Sequence, residues 1–126
     1  MQWWYYVLIG LGSFLIFLLF FSLGYAKKTS VRLNKDEFKQ KMRKGQLIDV
    51  RSQKEYAEGH INGARNITLA LLIRTYSRLR HDQPIYLYCN TGKRSQRAAA
   101  YLQTKGFKEV YQLENGLKSW TDPLKK

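Results

Sequence analysis

The chain has 126 residues and a formal net charge of +13, from 22 Lys and Arg against 9 Asp and Glu. This length leaves room for one small domain and little more. The single cysteine excludes an intramolecular disulfide framework and a zinc site built from cysteines alone.

An uncharged apolar run occupies residues 3–26, and every charged side chain follows it. As a helix this run would be about 36 Å long, enough to cross a hydrocarbon core of about 30 Å. Aromatic residues at both ends suit the headgroup level of a bilayer. We therefore predict that residues 1–26 form a transmembrane anchor, which contacts the lipid bilayer through residues 3–26.

Two other interpretations of this run are weaker. A buried core helix rarely runs so long without a polar residue. A cleaved signal peptide is the more serious alternative, because Gly24-Tyr25-Ala26 faintly resembles a cleavage site. However, no Lys or Arg precedes the apolar run, and the run is too long for the apolar segment of a signal peptide.

Basic residues dominate the segment that follows the apolar run. The positive-inside rule places such a flank in the cytoplasm, and anionic lipid headgroups attract it. We predict a single-pass membrane protein with a short linker at 27–30 and a cytoplasmic domain at 31–126. The basic residues closest to the membrane are Lys27, Lys28, Arg32 and Lys35.

The predicted domain begins with a strand, a helix and a second strand. Val31–Leu33 is a short strand candidate. Asn34 can cap a helix with Glu37 as its capping-box partner, and Gly45 can end that helix. The second strand covers residues 46–50.

A second capping box and a turn-rich segment come next. Ser52 and Glu55 open a short helix, "QKEYAE", which stops at Gly59. The segment after this helix is rich in turn residues and leads to a short apolar piece at 66–67.

The remaining pattern alternates between helix and strand. Asn115 and Gly116 predict a turn before the last element. The predicted elements are a helix at 69–79, a strand at 84–89, a helix at 95–105, a strand at 107–113 and a short helix within 117–124.

This alternation predicts an α/β fold with a mainly parallel sheet. In such sheets, ligands bind beyond the carboxyl ends of the strands. Asp49 and Arg51 lie at the end of one predicted strand, and Cys89 lies at the end of another. We expect these three residues to lie near one another.

Cys89 taken alone would be a small buried core residue. The residues after it change this interpretation, because a short loop, 90–95, leads directly into a helix. Backbone N–H groups in such a loop and the helix dipole stabilise an anion. Gly92 lets the backbone turn, and Arg94 can hold an oxyanion in a bidentate manner. This setting lowers the pKa of a thiol.

Four motifs together resemble the rhodanese-homology domain, and they cover nearly all of the predicted domain. They are "LIDVR" at 47–51, "EYAEGHINGARNI" at 55–67, "IYLYCNTGKRS" at 85–95 and "LENGLKSW" at 113–120. The resemblance implies a three-layer α/β fold with a mainly parallel sheet flanked by helices. It also implies sulfur transfer from a donor such as thiosulfate to a thiol or to cyanide.

The resemblance assigns roles to individual residues. Cys89 is the nucleophile that carries a persulfide. Asp49 and Arg51 match the "DVR" positions, which help hold the loop and the pocket rim, and His60 is structural. Taken by itself, Asp49 could equally cap a nearby turn. The resemblance implies no metal and no cofactor. The active-site loop is made of Asn90, Thr91, Gly92, Lys93, Arg94 and Ser95.

Loop length separates sulfur chemistry from phosphate chemistry. The phosphatases of the resembled fold have five residues between cysteine and arginine, whereas four separate Cys89 from Arg94. A cradle must match the size of the group it binds, so the shorter loop favours sulfur. The chain departs from the resembled pattern at Asn62, Asn115 and Asn90, and Asn90 removes a positive charge that is common in the loop.

Two other functions remain open. A non-catalytic rhodanese module could recruit a partner to the membrane, and phosphatase or arsenate-reductase-like chemistry could use the same loop. With no second cysteine, the sulfur acceptor is a separate molecule. The basic runs contain no recognised base-reading motif, so we expect no nucleic acid partner.

Overall fold

The computed structural model describes residues 2–24 and 30–126. Met1, the last two residues of the predicted anchor and all of the predicted linker except Ser30 lie outside these ranges. Helix α1, Trp3–Gly24, is the one described helix that is long and apolar enough to cross a membrane. A signal sequence would satisfy the same criteria of length and composition.

Five parallel strands form one sheet with the order β1-β5-β4-β2-β3. The predicted α/β fold with a parallel sheet is therefore confirmed. The strands are β1 Val31–Leu33, β2 Gln46–Asp49, β3 Arg65–Asn66, β4 Ile85–Tyr88 and β5 Val110–Leu113. The other helices are α2 Lys35–Lys41, α3 Gln53–Glu58, α4 Leu69–Thr75 and α5 Lys93–Thr104.

Helices cover both faces of the sheet. Side chains alternate between these two faces along each strand, so each strand contributes to both buried clusters. In β4, Ile85 and Leu87 pack into one buried cluster with residues of α4 and α5. Tyr86 and Tyr88 point to the other face and pack with Phe38 of α2. The result is three layers with the sheet in the middle, which buries β4 completely and fixes the position of the loop that follows it.

Local signals explain which helix boundaries agree with the predictions. The Ser52 capping box forms as predicted and starts α3, and Gly59 ends it with φ of 154°. Asn34 also caps its helix through the Glu37 N–H, but Glu37 reaches the side-chain amide of Asn34 and not its backbone. Both caps fix where their helices begin.

Several predicted elements differ from the structure. The predicted helix at 69–79 is α-helical only to Thr75 and continues as a 3-10 turn, Tyr76–Arg78. Helix α5 begins at Lys93, two residues early, because Gly92 in a left-handed conformation serves as its cap. Strand β5 begins only at Val110, where pairing with Ile85 becomes available. The last element is a 3-10 turn, Gly116–Ser119, and not a helix extending toward Pro123.

Candidate active site: the loop after β4

The Cys89 thiol lies at the carboxyl end of the central strand β4 and is fully buried. The backbone N–H groups of Gly92 and Ser95 donate to its sulfur, at 3.1 Å and 3.4 Å. The Cys89 S–H contacts the Ser95 hydroxyl oxygen at 3.5 Å. Amide dipoles therefore converge on the sulfur from the loop and from the first turn of α5.

These contacts decide the ionisation of the thiol. Burial by itself raises the pKa of Cys89. Hydrogen bonds from the Ser95 hydroxyl and from the amides of Ser95, Gly92 and Thr91 outweigh burial, so the pKa lies below its ordinary value. The loop therefore favours the thiolate, which is the nucleophilic form of cysteine.

The 3-10 turn at Gly116–Ser119 holds the loop from behind. Leu117 N–H donates to the Cys89 carbonyl at 2.9 Å, and Lys118 N–H donates to the Asn90 carbonyl at 3.1 Å. A Cβ at Gly116 would lie 2.2 Å from the Cys89 carbonyl oxygen, so only glycine fits. With both carbonyls bound on this side, the following amides face the sulfur.

The residues predicted as one loop divide between a loop and a helix. Asn90, Thr91 and Gly92 form the loop itself, and Gly92 makes the turn with φ of 94°. Lys93, Arg94 and Ser95 belong to the first turn of α5. Their side chains therefore have the fixed spacing of a helix: Ser95 is buried beside the sulfur, whereas Lys93 is exposed.

The guanidinium of Arg94 points to Glu55 of α3. Its two terminal nitrogens donate to the two Glu55 carboxylate oxygens at 2.7 Å and 3.0 Å. Glu55 also accepts from the Asn90 side-chain amide. The Arg94 hydrogen bonds lower the pKa of Glu55 to about 2. Arg94 was expected to hold an oxyanion of the substrate. In this structure its guanidinium is bound to Glu55, so a substrate anion would have to compete with that carboxylate.

Asp49 and Arg51 form a buried brace under the loop, and Asp49 is not at a pocket rim. Asp49 is fully buried and accepts from Arg51 at 2.7 Å. The Arg51 guanidinium also donates to the Gly59 carbonyl at 2.6 Å and to the Asn90 side-chain oxygen at 3.1 Å. Arg51 lines a cleft, and Asp49 lies beneath it and orients its guanidinium. Arg51 in turn is the charged partner that the buried Asp49 carboxylate requires.

Two site residues were not identified from the sequence. Glu55 was interpreted only as a capping residue, yet it contacts both Asn90 and Arg94. Gln112 lies in an alternating strand where a polar residue suggests exposure, yet it is buried and accepts from Ser95 at 3.2 Å. Since Glu55 lies in the "EYAEGHINGARNI" motif, that motif could have indicated its role; no comparable signal marks Gln112.

Two clefts meet at Thr91 on the outer side of the loop. The larger, of about 530 Å³, includes Arg51, Glu55 and Leu124. The smaller, of about 120 Å³, includes Arg32 and Lys93. Within residues 2–24 and 30–126, no group of three or more His, Cys, Asp or Glu side chains could hold a metal ion.

Comparisons with known proteins agree with this architecture. The profile of the rhodanese-like domain matches residues 34–123. The Bacillus subtilis (strain 168) protein YqhL is 42% identical over 119 residues, which cover 94% of each chain. The thiosulfate sulfurtransferase GlpE of Pseudomonas fluorescens is 42% identical over 77 residues, 59% of this chain and 68% of GlpE.

A solved structure extends the agreement to three dimensions. A rhodanese-like domain protein from Staphylococcus aureus superposes with a TM-score of 0.68 at 27% sequence identity. The match covers 75% of this chain and 96% of the Staphylococcus aureus protein. The chain therefore belongs to the rhodanese-like domain family, and its relatives in that family include thiosulfate sulfurtransferases.

Proposed function

We propose that the chain is a membrane-anchored sulfurtransferase that carries sulfane sulfur as a persulfide on Cys89. One observation carries this proposal: the sulfur of the only cysteine accepts hydrogen bonds from the Gly92 and Ser95 amides. Such a cradle stabilises negative charge on sulfur, both in the thiolate and on a terminal persulfide sulfur.

The first half of the reaction loads the cysteine. The Cys89 thiolate attacks the outer sulfur of thiosulfate, and a new sulfur–sulfur bond forms. The original sulfur–sulfur bond breaks, and its electron pair leaves with sulfite. Cys89 then carries a persulfide whose terminal sulfur is negatively charged, and the loop amides stabilise that charge.

The second half of the reaction transfers the sulfur from Cys89 to the acceptor. A thiolate or cyanide attacks the terminal sulfur, and the persulfide bond breaks with its electron pair returning to Cys89. The products are an acceptor persulfide or thiocyanate and the original thiolate. Because Cys89 is the only cysteine of the chain, the acceptor thiol belongs to another molecule.

Charge around the loop suits an anionic donor. Lys93 and Arg32 line the smaller cleft beside the loop. The negative charge of Glu55 in the larger cleft is balanced by its ion pair with Arg94. Glu114 lines the same cleft, so two basic side chains and one acidic side chain leave a net positive charge for an anion that approaches Thr91.

The membrane location is part of the same proposal. Helix α1 has the length and composition of a membrane span, and basic residues follow it in the sequence. The positive-inside rule then puts the domain in the cytoplasm, where thiols stay reduced and a persulfide cycle can run.

Intact mass spectrometry of the full chain in detergent tests the proposal. After incubation with thiosulfate, we expect the mass of one added sulfur atom, which cyanide then removes. The Cys89→Ser variant should gain no sulfur. Turnover of thiosulfate and cyanide by Cys89→Ser, or no sulfur on the wild-type chain, would refute the proposal.

The two other functions predict different outcomes of the same experiment. Hydrolysis of an aryl phosphate that depends on Cys89 would favour phosphatase chemistry. Capture of a partner that survives Cys89→Ala, with no sulfur gained from any donor, would favour a non-catalytic module. The short loop supports sulfur transfer over phosphatase chemistry. The amide-bonded thiol supports it over a non-catalytic module.

A further inference from the structure

A continuous line of polar side chains runs from Cys89 away from the loop. The Cys89 sulfur and the Ser95 hydroxyl oxygen are 3.5 Å apart, and Ser95 is 3.2 Å from the Gln112 side-chain oxygen. The Gln112 side-chain nitrogen is 2.7 Å from the Ser30 hydroxyl oxygen. The line joins the residue after β4, helix α5, strand β5 and the segment before β1.

Gln112 is a buried polar residue whose hydrogen bonds to both serines are needed to offset the cost of its burial. Only 2% of Gln112 is exposed, and Ser95 is fully buried. Burying an amide costs free energy unless its donor and acceptor are both satisfied. The two serines satisfy Gln112 at both ends. An apolar residue would fill a buried strand position without requiring either serine.

The direction of the hydrogen bonds depends on the state of the thiol. When Cys89 is protonated, its S–H donates to Ser95, and the Gln112 amide donates to Ser30. The one proton of the Ser95 hydroxyl is then shared between two acceptors, the Gln112 side-chain oxygen at 3.2 Å and the Gly92 carbonyl oxygen at 3.1 Å. A thiolate has no proton to donate and needs donors. The single hydroxyl proton of Ser95 must then turn toward the sulfur.

Gln112 and Ser30 can reverse their hydrogen bonds by rotating in place. The oxygen and nitrogen of a Gln side chain occupy nearly equivalent positions after a half-turn of the amide. Gln112 then donates to the Ser95 oxygen, and Ser30 donates its own hydroxyl proton to the Gln112 oxygen. Serine suits both ends because its hydroxyl donates and accepts.

We propose that the Ser30–Gln112–Ser95 relay reverses its hydrogen-bond direction when Cys89 ionises, and that Gln112 is a positioning residue for the nucleophile. The inference rests on the proposed function, because it takes Cys89 as the reacting group. No proton moves along the relay: the thiol proton goes to solvent, and each relay group only rotates.

The charged groups that surround the loop also influence the ionisation of Cys89. Arg94 of α5 is paired with Glu55 of α3, and Arg51 is paired with Asp49 of β2. These pairs, together with exposed Lys93 on α5 and Lys118 on the 3-10 turn, define the field in which Cys89 titrates. The substitutions below leave all of these charges in place, so a change in ionisation reports on the relay.

The test measures the rate of Cys89 alkylation by iodoacetamide as a function of pH, on the full chain in detergent. Cys89 is the only cysteine, so the reagent reports on one group. Gln112→Met keeps a similar volume and removes both hydrogen bonds. Because hydrogen bonds to an ion are the stronger ones and chains of them reinforce one another, the loss weakens the thiolate more than the thiol.

We expect Gln112→Met to move the midpoint of the alkylation profile to higher pH and to slow alkylation at neutral pH by about three- to tenfold. Ser30→Ala should shift the midpoint in the same direction by less. Ser30 is only partly buried, so this variant keeps the inference testable if Gln112→Met does not fold.

Gln46→Met is the matched control. Gln46 is also a buried glutamine of the sheet, and its amide bonds the Arg80 backbone at the other end of β2. This variant should leave the midpoint unchanged. Equal midpoints for Gln112→Met and the wild type, or an equal shift in Gln46→Met, would overturn the inference.

Alkylation reads ionisation whether or not sulfur is transferred. A shifted midpoint in Gln112→Met, with no sulfur gained by the wild-type chain, would refute the proposed function and leave the relay standing. Sulfur gained by the wild type, with no shift in Gln112→Met, would refute the relay alone.

Discussion

Glu55 connects the two ends of the nucleophile loop through one carboxylate. It accepts from the Asn90 side chain at the start of the loop and from Arg94 in the first turn of α5. Its pKa falls to about 2, chiefly through the Arg94 hydrogen bonds, so it stays ionised at any physiological pH. The loop is thereby closed by an ion pair on its outer side.

This pairing gives stability a defined pH dependence. A carboxylate whose pKa is lowered by folding stabilises the native state above its ordinary pKa, and the stabilisation is lost as pH falls toward the folded value. The difference in unfolding free energy between the wild type and Glu55→Gln should therefore be constant above about pH 5. It should shrink as the pH falls from the ordinary value of 4.5 to about 2.

Urea unfolding of the full chain in detergent at several pH values measures this difference, because urea is uncharged and does not screen the ion pair. Glu58→Gln removes a carboxylate from the same helix without touching the Arg94 pair, so it should lower stability less at neutral pH. A difference between the wild type and Glu55→Gln that does not vary with pH would contradict the role of the ion pair.

Helix α3 shows how a very short element can position a side chain. It has six residues, and isolated helices of this length are unstable. The Ser52 capping box satisfies its first N–H groups, and Tyr56 packs against the core on one side of the sheet. These two anchors fix the angle at which Glu55 meets the loop.

Removing the cap should therefore affect both stability and the thiol. Ser52→Ala should lower the unfolding free energy by about 1 kcal/mol, the typical value for an N-cap. It should also change the rate of Cys89 alkylation, because the Glu55 carboxylate loses the hydrogen bond from the Ser52 hydroxyl.

Asn34→Ala provides the comparison, since Asn34 caps α2 in the same way and does not contact the loop. It should lower stability by a similar amount with no change in alkylation. If the two variants alkylate at the same rate, α3 has no special connection to the site.

The same elements explain what the sequence could predict. Capping residues and glycines are local signals, so both ends of α3 were correct. The start of α5 was two residues late because Gly92 caps it through backbone conformation, without the side-chain bond that marks a typical cap. The start of β5 was wrong because alternation extends past the point where β4 offers a partner.

At the scale of the whole molecule, a domain of the rhodanese-like family follows one apolar helix. The domain supplies the fold and the loop, and the helix supplies the proposed location. The sequence motifs predicted the fold and the place of Cys89 correctly. One motif includes Glu55 and so marks it for attention, but the motif does not show that Glu55 binds Arg94. No motif includes Gln112, and its burial depends on how distant elements pack.

The proposed topology gives a prediction for the chain in cells. After extraction from membranes, its intact mass should still include the Trp3–Leu23 helix. In sealed vesicles, protease should digest the domain only from the cytoplasmic face.

Leu15→Arg places a charge inside the apolar helix at a cost of about 2.5–3.5 kcal/mol if it lies at the bilayer centre, so less protein should insert. A mature chain without the helix would show that it is a signal sequence.

The turn behind the loop also sets an order of events during synthesis. Leu117 and Lys118 bind the carbonyls of Cys89 and Asn90, and Gly116 packs directly against them. A ribosome makes Cys89 well before these residues. A nascent chain thus carries an ordinary thiol until its later segment folds back onto β4. The hydrogen bonds that lower the pKa of Cys89 therefore form only with the completed domain.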